Sequence, residues 1–360
     1  MSLPTHEPRI DNEILHALAA HAEQADSEAV WPAASWELLG ATGAPRWAIP
    51  RKHGGDGLDP LALLAGYERL AGACLTTTFL LSQRDAAVRR LCELGGEAVR
   101  RRWLPGLARG ELFLTVGLSQ LTTSRQHQAP ALTAAPVEQN AKTIAYIVDG
   151  LIPWVSGADR ADAVVTGATL ADGRQVLATL PRGRAGVAIE PPPALAALLG
   201  SRTTSMHCRG VRIEADEVFA GPVERVLAGS KGGGGLETSC LALGLAGAAI
   251  AFLQGEAVAR PELRHAADAL TRARDDVRRR IHQLAGGAAP AAEAAAVRVA
   301  ANRLVLGATQ AALMAAKGTG FVRPHPAQRW ARQALFFLVW SCPRPTAEGT
   351  MDHLLAMAVE

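Results

Sequence analysis

The spacing of hydrophobic residues divides the chain into three zones. In the first, up to about residue 113, apolar residues recur at helical intervals, as around residues 61–71. The glycines of KHGGDGLDP, residues 52–60, indicate a turn before that helix. In the second zone, about 114–222, short runs rich in Val, Ile and Leu are separated by turn signals such as Asp-Gly and Pro-Pro-Pro. This pattern predicts strands of a β-sandwich or barrel.

The third zone is helical again. Leu263, Leu270, Val277 and Leu284 are spaced by seven residues, and residues 291–316 form an alanine-rich stretch. As a helix, that stretch of about 26 residues would reach roughly 39 Å. The fold class is therefore expected to be α+β, with an N-terminal helical domain, a central β domain and a C-terminal helical bundle. The expected boundaries are 1–113, 114–222 and 223–360.

Composition and charge exclude several classes of protein. With 37 Lys and Arg against 34 Asp and Glu, the net charge of +3 argues against a nucleic-acid binder. Five cysteines without a CxxC pair favour a reducing cytoplasm over disulfides or a metal site. The N-terminal residues lack the apolar core of a signal peptide, and the longest apolar run, residues 240–253, is too short to span a bilayer. We therefore expect a cytoplasmic protein without a membrane span.

Generic catalytic motifs do not define a function. The sequence contains no GxxxxGK[ST], GxSxG or HExxH. A glycine pair at Gly244 and Gly247 resembles part of a dinucleotide-binding motif, but it lies in an apolar helix with no strand before it. The interpretation is close helix packing.

Several phrases, in order over about residues 30–345, resemble those of the acyl-CoA dehydrogenase family. They are WELLGATGAPRWAIPRKHGGDGLD at 36–59, ELGGEAVRRRWLPGLARGELFLTVGLS at 93–119, LIPWVSGADRAD at 151–162, LGSRTTS at 199–205 and KGTGF at 317–321. The resemblance implies the same three-part fold, with FAD held between the β domain and the C-terminal helices. It also implies a homodimer or homotetramer in which a neighbouring subunit helps to hold the adenine. The implied reaction is α,β-dehydrogenation of a small-molecule acyl thioester, attached to CoA or to a carrier protein.

The resemblance also assigns cofactor-binding residues. Trp154 matches a tryptophan that lies against the flavin, and Ser156 matches a threonine that hydrogen-bonds near flavin N5. Arg202 matches a structural arginine beneath the active site. The remaining matches are to FAD-binding loops: Ser119, Ser124, Lys317 and Gly318.

The sequence departs from the family pattern at the second FAD-binding arm. The family phrase R-x-x-FG is absent from the matching stretch QGEAVARPEL, residues 254–263, where Arg260 is the one available substitute. Met314 stands where the family has a glutamine, and Lys317 where it has a glycine. An ammonium group there would bind pyrophosphate as a point charge.

The catalytic base is the largest departure. Counting from Arg332 places Ser341 where the family has a glutamate. Two carboxylates are alternatives: Glu348, in an EGT phrase after an apparent insertion of seven residues, and Glu237, about one turn from a second family position. Abstraction of an α-proton requires a carboxylate within hydrogen-bond reach of the acyl carbon.

Two other functions remain open. One is a flavin-dependent monooxygenase of the same fold, in which His325 and Ser341 would lie near the flavin. The other is a non-catalytic family member that has lost FAD, which the missing R-x-x-FG phrase and Met314 favour.

Overall fold

The computed structural model describes Pro8 and residues 10–122, 129–228, 236–287 and 290–359. In this part of the chain, helices precede and follow a group of strands. The N-terminal helices are α1 (Asn12–Ala20), α2 (Ala22–Ser27), α3 (Ala33–Ala41), α4 (Ala44–Trp47), α5 (Pro60–Ala73), α6 (Leu75–Leu94) and α7 (Glu97–Ala108). The C-terminal helices are α8 (Leu236–Ala259), α9 (Arg264–Ala285), α10 (Ala291–Gly320), α11 (Pro326–Val339) and α12 (Arg344–Val359).

Local sequence explains where α5 begins. The side chain of Asp59 accepts hydrogen bonds from the backbone N–H groups of Leu61 and Ala62, and Pro60 occupies the first helical position. Gly54 has a positive φ of 88° in the turn before this helix, where residues other than glycine are strained. The predicted turn and helix are both present.

The central strands form one hydrogen-bonded network that is folded on itself. In sequence order the strands are β1 (Leu114–Gly117), β2 (Leu132–Gln139), β3 (Lys142–Val155), β4 (Ala163–Thr169), β5 (Gln175–Pro181), β6 (Val187–Ile189), β7 (Thr204–Glu214) and β8 (Val218–Val223). Their spatial order is β6-β7-β3-β2-β4-β5-β8, and β1 pairs with β4 in parallel. The contact between β2 and β4 is a single parallel pair, Thr133 with Thr169. It joins one half of the network, β6-β7-β3-β2, to the other half, β4-β5-β8 with β1.

The two halves share one apolar interior. Tyr146 and Ile213 from one half and Val176 and Ala178 from the other line a common cavity of about 10 Å³, about the space of one water molecule. Residues of β2, β3, β4, β5 and β7 belong to a single buried cluster. The expected sandwich-like β domain and the helix–strand–helix order are confirmed.

The N-terminal and C-terminal helices pack together as one helical body. A single buried cluster contains residues of α1, α3, α5 and α6 together with residues of α8, α9, α10 and α11. The two helical segments therefore share one core. The predicted domain boundaries at residues 113 and 222 stay predictions.

Gly244 lies where α8 crosses α5, as the helix-packing interpretation predicts. A Cβ at this position would clash with the Glu68 carbonyl oxygen and would lie 2.9 Å from Ala71 Cβ. We expect Gly244→Ala to lower the free energy of unfolding by about 1–3 kcal/mol, because overpacking forces the helices apart. Urea unfolding measures this change.

Gly247→Ala is the matched control for that experiment. Its Cβ would meet only Arg274 Cδ, at 4.0 Å, and alanine has the higher helix propensity. The control should therefore be neutral or slightly stabilising. Equal losses in the two variants would contradict the packing role of Gly244.

Helices α8 and α10 are long and apolar enough to cross a membrane by length and composition alone. However, 67% of the apolar window of α8 and 44% of that of α10 are buried inside the protein. Helix α8 packs against α5, α9 and α10, and these helices cover its apolar surface. The expected cytoplasmic location stays a prediction.

Candidate functional site

A β-bulge at the end of β3 turns Trp154 outward. Ile152 pairs with Met206 and Val155 pairs with Thr204, so β3 has one more residue than β7 between these two pairs. Bulges of this kind bend a strand and redirect a side chain, and they are frequent beside active sites. Trp154 is 52% exposed, whereas its neighbour Val155 is buried. An indole face is therefore available at this strand end.

Ser156, which follows the bulge, belongs to a chain of three hydroxyl groups. Its Oγ lies 2.8 Å from Thr203 Oγ1, which in turn lies 2.8 Å from Ser201 Oγ. Ser156 is 4% exposed, and Ser201 is fully buried. The backbone N–H of Gly157 also donates to the Ser201 carbonyl, at 2.8 Å. Residues 156–157 and 201–203 are thus joined by one side-chain and one backbone hydrogen bond.

The turn that carries Thr203 is held by the helical body. Asp26, at the end of α2, accepts a hydrogen bond from the backbone N–H of Leu198 at 2.8 Å. Arg202 donates to Asp159 at 2.6 Å and to the Ala29 carbonyl. This arrangement corresponds to the structural clamp that the resemblance implies for Arg202.

Asp26 also connects α2 to α11. Its Oδ2 lies 2.7 Å from Nη1 of Arg332, and its Oδ1 accepts from Gln333 Nε2 at 2.9 Å. Asp26 is fully buried. A single carboxylate therefore joins an N-terminal helix, a C-terminal helix and the Leu198–Thr203 turn of the β domain.

Ser119 lies beside the end of β3. It begins a short 3₁₀ turn, Ser119–Leu121, that follows β1 and contacts β3. In β1, a Cβ on Gly117 would meet Val155 Cγ2 at 3.0 Å, which shows how closely β1 and β3 approach. Ser119 Oγ is buried and has no hydrogen-bond partner among the described residues.

Gln120, the next residue, has a structural role. Its Nε2 donates to the Gly117 carbonyl at 3.0 Å, to Thr166 Oγ1 at 3.1 Å and to the Gly167 carbonyl at 3.0 Å. These bonds fix the turn and with it the position of Ser119. Ser124, which was expected in the same loop, lies outside the described residues.

Lys317 and Gly318 lie in the helical body, at a kink near the end of α10. Lys317 has a non-helical φ of 52° and ψ of −148°, and both residues are exposed. Among the described residues, the Lys317 ammonium has no ion-pair partner and is free to bind an anion. No described hydrogen bond or ion pair joins these two residues to Ser119, Trp154 or Ser156.

Arg260, the candidate substitute for the missing family arginine, already has partners. Its guanidinium pairs with Glu256 and donates to the Ala315 carbonyl at 2.7 Å. It therefore links the end of α8 to α10.

The residues at the β3 end fit the ring system of a flavin. The end of β3 offers an exposed indole face and the Ser156 hydroxyl, and the turn that contacts β3 offers the buried Ser119 hydroxyl, which has no partner among the described residues. An aromatic ring packs on planar rings, and unpartnered hydroxyls satisfy polar ring atoms. Near Arg260, the exposed ammonium of Lys317 is the described group that could bind a pyrophosphate.

The structure separates the candidate bases. Glu348 lies on α12, is 58% exposed in its ion pair and binds Arg344 at 2.6 Å. Ser341 lies in the turn between α11 and α12, with a positive φ of 42°. Glu237, in the first turn of α8, is 21% exposed and pairs with Arg89 of α6 at 3.4 Å.

Behind Glu237 lies a polar network that the sequence analysis missed. Tyr67 Oη donates to Asp85 at 2.6 Å, and Asp85 also accepts from Arg84 at 2.6 Å. Burial lowers the pKa of Arg89, but the interactions with Glu237, Tyr67 and Asp85 outweigh it and raise that pKa above its usual value. Arg89 therefore stays cationic. The signal in the sequence is the group of charged residues at 84–85 and 89–90, which fall within one helix.

His325 caps α11. Its Nδ1 accepts from the backbone N–H of Ala327 at 3.2 Å, and its ring packs edge-on against Phe252 at 5.6 Å between centroids. These contacts give the histidine a structural role at the end of the bundle.

Comparison with known proteins agrees with this architecture. Residues 12–111 match the N-terminal domain of acyl-CoA dehydrogenases. A Bacillus subtilis protein named "Probable acyl-CoA dehydrogenase YngJ" is 23% identical over 241 residues, which cover 65% of this chain and 62% of that protein. The alignment thus spans about three fifths of the length of that relative.

Solved structures share the whole fold. A glutaryl-coenzyme A dehydrogenase in complex with glutaryl-CoA superposes with a TM-score of 0.85 at 17% identity, covering 100% of this chain and 97% of that one. A dibenzothiophene monooxygenase from a Paenibacillus species superposes with a TM-score of 0.74 at 18% identity, covering 96% and 95%.

The three-part architecture and the site at the β3 end define the acyl-CoA dehydrogenase fold. The chain therefore has this fold, its residues 12–111 match the N-terminal domain of acyl-CoA dehydrogenases, and a relative at 23% identity is named a probable acyl-CoA dehydrogenase.

Proposed function

We propose that the protein is an FAD-dependent oxidoreductase that removes hydrogen from Cα and Cβ of an acyl thioester. The observation that carries the proposal is the outward-turned Trp154 at the end of β3, together with the buried Ser119 hydroxyl, which lies in the turn that contacts β3 and has no hydrogen-bond partner among the described residues. A buried polar atom without a partner costs free energy, and a bound flavin would supply the missing partner. The names of the relatives, which are acyl-CoA dehydrogenases, support the thioester substrate.

In this proposal both the β domain and the helical body contact FAD. Trp154 packs against the ring and excludes water, while Ser119 and Ser156 hydrogen-bond to its polar atoms. Lys317, Gly318 and Ser124 bind the phosphates. Bound FAD supplies the acceptor for hydride from Cβ.

We propose Glu237 as the base that takes the proton from Cα, in preference to Glu348. Glu348 is exposed and forms an ion pair with Arg344, one helical turn earlier on the surface of α12. Glu237 is mostly buried and is anchored by Arg89 on α6. Helix α6 packs on β1, the strand that leads to Ser119. In this proposal, Arg89, α6 and β1 therefore connect Glu237 to the candidate flavin site.

Self-association is part of the proposal, as a homodimer or homotetramer. The C-terminal helices expose large apolar side chains to solvent: Val258, Met314, Phe321, Val322 and Val339. Where exposed apolar side chains form a contiguous patch, they mark a surface that binds another protein chain.

The first test is FAD uptake, followed by visible absorption and flavin fluorescence. We expect the purified protein to bind FAD and to quench its fluorescence through Trp154. Trp154→Ala should weaken binding about tenfold, the effect of losing one aromatic contact of about 1.4 kcal/mol, and Trp154→Phe should retain most of the affinity. A protein that neither carries nor takes up FAD would refute the proposal and favour the non-catalytic family member.

A flavin monooxygenase is the second candidate, favoured by the match to the dibenzothiophene monooxygenase over 96% of the chain. It predicts oxygen consumption with externally reduced flavin and an aromatic substrate. Acyl-CoA compounds would then fail to bleach the bound flavin under anaerobic conditions.

A further inference from the structure

We infer that Thr203 is a positioning residue that lets the Ser156 hydroxyl reverse its hydrogen-bond direction when the bound flavin changes its redox state. The inference rests on the proposed function, because it requires a flavin beside Ser156. The structural observation is the chain of hydroxyls Ser156, Thr203 and Ser201, with two oxygen–oxygen distances of 2.8 Å.

Each of the three hydroxyls carries one hydrogen, and either oxygen of each pair can be the donor. Two orientations of the chain are therefore possible, and in the second the Ser201 hydrogen has no acceptor among the described hydrogen bonds. In one, Ser201 donates to Thr203, Thr203 donates to Ser156, and the hydrogen of Ser156 is directed outward. In the other, Ser156 donates to Thr203, Thr203 donates to Ser201, and Ser156 presents a lone pair outward.

These two orientations match the two redox states of a flavin. A ring nitrogen that accepts a hydrogen bond in the oxidised flavin carries an N–H in the reduced form. Ser156 meets the first as a donor and the second as an acceptor. No covalent bond in the protein changes, and each hydroxyl only rotates about its C–O bond.

The chain is rigid, which limits other ways of satisfying these hydroxyls. Ser201 is fully buried, and its Oγ has Thr203 as its one described hydrogen-bond partner. Asp26 holds the start of this turn through Leu198, and Gly200 fits closely against α2, where a Cβ would clash with the Ala25 carbonyl oxygen. Thr203 therefore cannot move away without disturbing α2.

Thr203→Val tests this inference because valine keeps the shape and removes the hydroxyl. In the reduced state, the hydrogen of Ser156 then lacks its acceptor, whereas in the oxidised state it still points to the flavin. We expect the reduced form to become about tenfold less favoured, which corresponds to a midpoint potential lower by about 30 mV for a two-electron couple. Equilibration of the FAD-loaded protein with reference dyes measures this potential.

Three further variants separate this role from a general effect on folding. Thr203→Ser should restore the wild-type potential, and Ser201→Ala should lower it by less than Thr203→Val. Thr204→Val removes the next hydroxyl, which is buried but donates to the Glu190 carbonyl at 2.8 Å, and it should leave the potential unchanged.

The outcomes distinguish this inference from the proposed function. If the wild-type protein binds no FAD, both the proposed function and the inference are wrong. If it binds FAD and Thr203→Val has the same potential as the wild type, or the same shift as Thr204→Val, only the inference is wrong.

Discussion

Glu237→Gln is expected to slow the anaerobic bleaching of bound FAD by an acyl-CoA by about 10²–10⁴-fold, the usual contribution of a general base. Glutamine keeps the size of the side chain but cannot take the α-proton. The measurement is rapid mixing of the FAD-loaded protein with acyl-CoA compounds of different chain lengths, followed by absorbance.

Glu348→Gln is the matched control for this variant. Because Glu348 lies at the surface of α12 in a pair with Arg344, its substitution should leave the bleaching rate unchanged. The opposite result, with Glu348→Gln slow and Glu237→Gln normal, would assign the base to the EGT phrase. Unchanged rates in both variants would exclude each as the base.

The stability of Glu237→Gln must be measured alongside its rate. Glu237 pairs with Arg89, which lies against Tyr67 and the buried Asp85. Glutamine can still accept a hydrogen bond from Arg89 through its side-chain oxygen. A normal unfolding midpoint with FAD still bound would therefore show that a slow rate reflects chemistry and not misfolding.

The sequence predicted the architecture better than the site. Helical and strand periodicity located the three zones, whereas the cofactor-binding roles that the resemblance assigns to Trp154 and Ser156 stay predictions. Hydrophobic periodicity is set by local geometry, so it can be read from a single sequence. Gly244 is a clear case, because a glycine in an apolar helix indicated close packing and the structure places it against α5.

The parts that the sequence did not predict depend on contacts between distant residues. The bulge at Trp154 results from a register shift against β7, about 50 residues further along the chain. Arg89 meets Glu237 across α6 and α8, and no local pattern pairs these two charges. Thr203 lies in a phrase that the resemblance quoted, but its hydrogen bonds to Ser156 and Ser201 exist only in the folded turn.

Asp26→Ala is expected to lower the free energy of unfolding by about 3–5 kcal/mol, the cost of removing one partner from a buried ion pair. Asp26 binds Arg332, Gln333 and the backbone N–H of Leu198, and no solvent reaches it. Without this carboxylate, the guanidinium of Arg332 loses its anion and the Leu198 N–H loses its acceptor. The decrease should appear as a lower urea midpoint with an unchanged slope.

Asp172→Ala provides the contrast. Asp172 also pairs with an arginine, Arg174, at 2.7 Å, but both side chains are about half exposed. Its removal should have little effect on the free energy of unfolding, because solvent screens the pair. Since Asp26 holds the turn that precedes Thr203, Asp26→Ala should also weaken FAD binding, whereas Asp172→Ala should not. If Asp26→Ala proved as stable as Asp172→Ala, the carboxylate would not be what joins the helical body to the candidate flavin site.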